Sequence, residues 1–137
     1  SDGIDSPTTF SLGDVGEDVV FTTAGFAIKG SPLEAFDTAF EQKYGSAPES
    51  IYSAVGYDLI KVIEAAVIVA GSTDPTKIRD AMADLENVQG ATGLITYKGT
   101  NGMPVRQVSL IRVKDGGREL VGQPSPDANL IPAQRMQ

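Results

Sequence analysis

The chain has 137 residues, 41% of them hydrophobic, with 11 Lys and Arg against 18 Asp and Glu, a formal net charge of −7. That is one domain's worth of residues with an ordinary apolar fraction, so a packed core is expected rather than disorder. The acidity speaks against a nucleic-acid partner, because tracking phosphates needs clustered Lys and Arg. Cysteine and histidine are both absent, which excludes disulfides, thiolate or imidazole metal sites, and any catalytic centre built on either residue within this chain.

In chain order, residues 1–16 hold Gly, Ser, Pro, Thr and Asp at loop-like density. Residues 18–23 are β-branched between turn residues and predict a short buried strand. At residues 31–34, Ser31 can cap, Pro32 suits the first helical position and Glu34 completes a capping box. Leu33, Phe36, Phe40 and Tyr44 then form one apolar stripe, and Gly45 ends the helix. A second helix is expected from about Pro48–Ser50 to Gly71, buried over more than half its circumference by Val55, Leu59, Val62, Ile63, Ala66, Val67 and Ala70. Lys61 and Glu64 interrupt it, so it is not a membrane span. Asp74 and Pro75 open a third helix with Ile78, Met82 and Leu85 facing inward. A strand is expected at residues 94–97, a longer one at 105–113, and a hairpin return at 118–121 through Asp115-Gly116-Gly117. The Pro-containing tail from Gln123 is expected to run over the surface.

Strand, three helices, strand and hairpin read as an α/β fold. The strands are too few to cover so apolar a second helix, which implies further sheet or a partner chain. The abrupt start at Ser1, with no signal peptide in view, is expected of a processed, cleaved or truncated chain.

Candidate chemistry is sparse. Asp2 and Asp5 sit in a Gly-containing loop before a strand, where a carboxylate can accept charge-assisted hydrogen bonds from an ammonium. An Asx-turn at a chain end accounts for the same spacing. The early acidic residues Asp2, Asp5, Asp14, Glu17 and Asp18 lack the register of a calcium loop, so no metal is expected. Tyr52, on the first turn of the second helix, can wall a pocket or serve the core, whereas Tyr57 reads as core. The Gly-rich turns near residues 99–102 and 115–117 match no phosphate-binding pattern, and no catalytic constellation or cofactor motif is present.

Several pieces are more specific in order than alone: Ser1-Asp2-Gly3-Ile4-Asp5-Ser6-Pro7, residues 16–23, Lys43-Tyr44-Gly45, and Ala47-Pro48 leading to Gly56-Tyr57-Asp58. Residues 70–75, the Gly90-Ala91-Thr92-Gly93 turn and Val113-Lys114-Asp115-Gly116 follow. In this order the chain resembles the C-terminal part of the solute-binding proteins of ABC importers, in the branched-chain amino acid (leucine/isoleucine/valine-binding) family. The resemblance covers nearly all of residues 1–121.

It implies a partial periplasmic-binding-protein type 1 fold with Rossmann-like lobes that close on a ligand, and a chain contributing to both lobes. Residues 1–26 would be a second-lobe segment and hinge, 27–104 the first-lobe helices and strand, and 105–137 the return crossover, second-lobe hairpin and tail. By the same resemblance Asp2 would hold a ligand ammonium and Tyr52 would contact the ligand side chain from the other lobe. The implied partners are an amino acid, branched-chain or otherwise apolar, and ABC permease subunits, with no cofactor and no enzymatic activity. The implied location is the periplasm, or the cell exterior with a lipid anchor in a Gram-positive organism. A ligand-sensing module of the same fold is the alternative. The isolated chain is expected to expose core surface unless it swaps with a copy of itself, as a homodimer, or pairs with a complementary N-terminal fragment.

Overall fold

Two small antiparallel sheets organise the chain in its computed structural model, which describes residues 2–124. The first sheet has the order β1 (Val20–Thr23), β5 (Ser109–Lys114), β6 (Gly117–Gly122), and the second has β2 (Val88–Gly90), β3 (Gly93–Thr96), β4 (Val105–Arg106). Four helices accompany them: α1 (Pro7–Phe10), α2 (Pro32–Tyr44), α3 (Tyr52–Ala70) and α4 (Pro75–Ala83). The expected α/β character is present. The surface tail lies outside the described residues, apart from its start at Gln123 and Pro124.

Residues 105–113, expected as one longer strand, do not form one. β4 pairs with β3, Ile95 opposite Arg106, whereas β5 pairs with β1, Phe21 opposite Ile111, and with β6. An extended run reports backbone conformation, not partner, so the passage from one sheet to the other at Gln107–Val108 was invisible in the pattern. The strand β2 was also missed, because its three residues carry too short an alternation to read. Residues 2–16, expected as loop, hold two one-turn 3-10 helices (Asp2–Ile4 and Gly13–Val15) and α1, whose first turn Ser6 caps.

Each sheet keeps its own core. Phe21, Ile111 and Val113 are buried on the first sheet, with Ile4, Phe10, Phe26 and Leu120 packed around them. Val62, Ala66, Leu85 and Ile95 join α3 and α4 to the second sheet, and Leu33, Ile51, Ala54 and Ala91 lie beneath α2 and the start of α3. Fully burying a side chain such as Phe21 or Ile111 contributes about 1.5–3 kcal/mol.

The α2 start follows its signals. Ser31 Oγ accepts from the Glu34 N–H at 3.2 Å, and Glu34 Oε2 accepts from the Gly30 N–H at 2.6 Å. Gly45 closes the helix with φ 78°, where a side chain would be strained. Tyr44, expected in the apolar stripe, is instead exposed at its end. The α3 helix buries less than its sequence implied. Only Ala54, Asp58, Val62 and Ala66 are fully covered, one residue per turn, while Leu59, Ile60 and Ile68 are 55%, 62% and 73% exposed. Three short strands, α2 and α4 cover a single stripe, and among the described residues nothing covers the opposite side. Tyr57 is likewise not core: it is half-exposed, with its ring 5.4 Å from that of Phe36.

Side chains stitch the passages between the sheets. Arg106 donates to the Ala24 carbonyl at 3.4 Å, and Gln107 to the Gln123 carbonyl at 3.1 Å. Gln123 donates to Ser109 Oγ at 3.0 Å and to the Phe26 carbonyl at 3.4 Å. Three separate chain segments therefore run side by side at this junction.

Candidate functional site

A cleft of about 480 Å³ separates the first sheet from α2 and the α2–α3 loop. Its floor is Gly25-Phe26-Ala27, where the chain leaves β1 for α2. One wall is the inner face of α2 with the loop through Ala47, Pro48, Ser50 and Ile51, and the facing side chain is Arg118 of β6. A second hollow of about 420 Å³ shares Arg118 and continues past Asp5, Phe10 and Gly116 to Glu49 on the same loop. Together they form a groove with the loop on one side and the N-terminal segment and β5–β6 turn on the other.

Arg118 is fixed from its own side. Its Nη1 lies 3.3 Å from Asp5 Oδ1, and the guanidinium stands over the Phe10 ring, 5.7 Å from the centroid. Asp5 is almost wholly buried and also accepts from Thr23 Oγ1 at 2.6 Å. A simple Asx-turn is therefore not its role: Asp5 ties the N-terminal segment to β1 and β6. On the opposite wall Asp37 is half-buried and has no hydrogen bond or ion pair among the described residues. Burial raises its carboxyl above the ordinary aspartate range, and the charge of Arg118 pulls it partly back.

Asp2 lies in the opening 3-10 turn, three residues before Asp5 of the groove wall, and Tyr52 opens α3 directly after Ile51 of the facing wall. Tyr52 is half-exposed and lines neither hollow. The two segments thus flank one groove. Among the described residues no cluster of acidic side chains is arranged to hold a metal ion.

Two parts of the arrangement were missed in sequence. No local signal in the sequence marks Asp37 or Arg118, since they meet only through tertiary structure. Asp58 is the other. It is buried within α3 and accepts from the Ala91 N–H at 2.5 Å, the Thr92 N–H at 3.3 Å and the Thr92 hydroxyl. Arg106 also donates to Thr92 Oγ1 and lies 3.9 Å from Asp58, and its Nε is buried without a partner among the described residues. A charged residue amid an apolar helix was the available signal. This network fastens α3 to the β2–β3 turn and, through Arg106, to the sheet junction.

A family model described as periplasmic binding protein matches residues 3–118. The chain belongs to the periplasmic binding protein family. No curated protein matches it. Among solved structures, the leucine-binding protein LivK of Thermotoga maritima is similar, with TM-score 0.76 and 30% identity over 91% of this chain and 36% of that one. The substrate-binding protein LivJ of Streptococcus pneumoniae, in complex with isoleucine, gives TM-score 0.71 and 17% identity over 91% and 35% of the two chains. A Rhodopseudomonas palustris solute-binding protein in complex with benzoate gives 0.70 and 19% over 99% and 37%. The last two share the fold. The chain spans about a third of the length of these relatives. Its α/β arrangement is that part of a periplasmic binding protein, a family of solute binders and not of enzymes. No described helix is long and apolar enough to cross a membrane.

Proposed function

We propose that this chain forms part of the extracytoplasmic solute-binding component of an ABC importer, taking an amino acid between two lobes and delivering it to the permease. The observation that carries this reading is the groove between two separately cored units, flanked by the segments bearing Asp2 and Tyr52. In this reading residues 1–26 and 105–137 belong to one lobe with its hinge and crossover, and 27–104 to the other. Asp2 receives the ligand ammonium and Tyr52 meets its side chain. The apolar outer side of α3 rests on the remainder of its lobe, supplied by preceding polypeptide or by a second copy. The location is the periplasm, or the outer face of a Gram-positive membrane.

Relatives bind either amino acids or aromatic acids, and charge favours the former here. Asp5, Glu34, Asp37, Glu41 and Glu49 line the groove, against Arg118 as the sole cation among its described residues, itself paired with Asp5. Such a field attracts an ammonium and repels a lone carboxylate. The test is Asp2→Ala in the full-length protein carrying this sequence. Loss of at least about tenfold in leucine affinity, near 1.4 kcal/mol, is expected, and unchanged affinity removes Asp2 from the site.

A further inference from the structure

We propose that Arg118 and Asp37 are the positioning pair that holds the groove closed over its ligand, an ion pair completed across the cleft when the two walls approach. The inference rests on the binding reading above. A guanidinium offers five N–H donors, and among the described residues Arg118 uses one of them, at 3.3 Å on Asp5. Asp5 and the Phe10 ring set its direction, so little side-chain freedom remains to be lost when a second carboxylate arrives. That carboxylate is Asp37. It lines the same cleft from the inner face of α2, is partly desolvated, and has no partner of its own among the described residues. Of the other acidic residues on that wall, Glu34 is held in the capping box on Gly30, while Glu41, a turn farther along α2, and Glu49, on the α2–α3 loop, line the groove as well. Asp37 is the one that is partly desolvated and feels the charge of Arg118. The floor joining the two walls, Gly25-Phe26-Ala27, lies in the connection between β1 and α2, one of the three segments side by side at the junction about which they would move. An unsatisfied charge facing an under-used one across a cleft favours the closed form and disfavours the open one, which is what a binding protein needs from its hinge.

The experiment is leucine titration of the full-length protein with small-angle scattering in the free and saturated states, for wild type, Asp37→Asn, Asp37→Glu and Asp80→Asn. Asp80 is an exposed residue of α4 paired with Arg79, and its variant controls for net charge. The expected result for Asp37→Asn is a loss of roughly three- to tenfold in affinity, carried by faster dissociation, with less compaction on saturation. Asp37→Glu should recover most of both, and Asp80→Asn should match wild type. Wild-type affinity and compaction in Asp37→Asn overturn the pair while leaving the binding function intact. If wild type binds leucine without compacting, the latch is likewise overturned. If wild type binds neither leucine nor, in a parallel titration, isoleucine, valine or phenylalanine, the functional reading fails and the latch falls with it.

Discussion

A Cβ on Gly90 would stand 2.6 Å from Cγ of Asp58, so the β2–β3 turn approaches α3 only because position 90 has no side chain. The closeness lets the Asp58 carboxylate take the Ala91 and Thr92 amides. Asp58→Ala strands two buried N–H groups and removes the carboxylate beside Arg106, and a loss of about 3–5 kcal/mol is expected. Gly90→Ala should cost about 1–3 kcal/mol by overpacking. The two losses should not add: with Asp58 truncated, the new methyl has room. Urea unfolding of the single and double variants measures the coupling, and strict additivity contradicts the contact.

Asp5 is expected to be structural and Asp2 not. Asp5→Ala removes the acceptor of Thr23 and the partner of Arg118, for a loss of roughly 2–3 kcal/mol. Asp2→Ala, at the residue proposed to meet the ligand, should leave the free energy of urea unfolding within about 0.5 kcal/mol of wild type. Equal destabilisation by both substitutions would refute this division of labour.

The exposed side of α3 makes a prediction of contrast. In the 137-residue chain, Ile111→Ala should cost about 2–5 kcal/mol, because Ile111 is fully buried, while Ile60→Ala at a 62% exposed position should cost under about 1. In the full-length protein the Ile60 cost should rise toward the core range. An equally small cost in both contexts shows that nothing covers this face.

Burial raises the Asp37 carboxyl, so the folded chain holds that proton more tightly than the unfolded one. Its contribution to stability is fully present below the ordinary aspartate range and is lost as pH rises through the raised folded value. Asp37→Asn should therefore be more stable than wild type near neutral pH, and equal to it near about pH 3. Thermal midpoints of the free proteins across that interval test the sign. A variant less stable than wild type at neutral pH contradicts it.

Local structure was the legible part of this chain. Ser31, Pro32, Glu34 and Gly45 bracket α2, and Asp74 and Pro75 open α4, because caps act within a turn of chain. Partnerships at a distance were not legible. The run at residues 105–113 changes sheet without changing its alternation, and Tyr44 and Tyr57 are apolar enough for a core yet sit where, among the described residues, no second layer covers them. The Gly56-Tyr57-Asp58 and Gly90-Ala91-Thr92-Gly93 pieces, noted separately in sequence, turn out to be two halves of one buried contact. The resemblance pointed to the segments carrying Asp2 and Tyr52, whereas Arg118 facing Asp37 required the fold.

The central claim is a groove that recognises an amino acid by its ammonium. The most direct measurement is calorimetric titration of the full-length protein with leucine, phenylalanine, the deaminated acid of each, and benzoate. Binding of the amino acids, with the deaminated acids and benzoate at least about a hundredfold weaker, near 2.7 kcal/mol, is the predicted result. Equal or tighter binding of the deaminated acids or of benzoate would contradict it, and would assign the groove to a carboxylate without an ammonium.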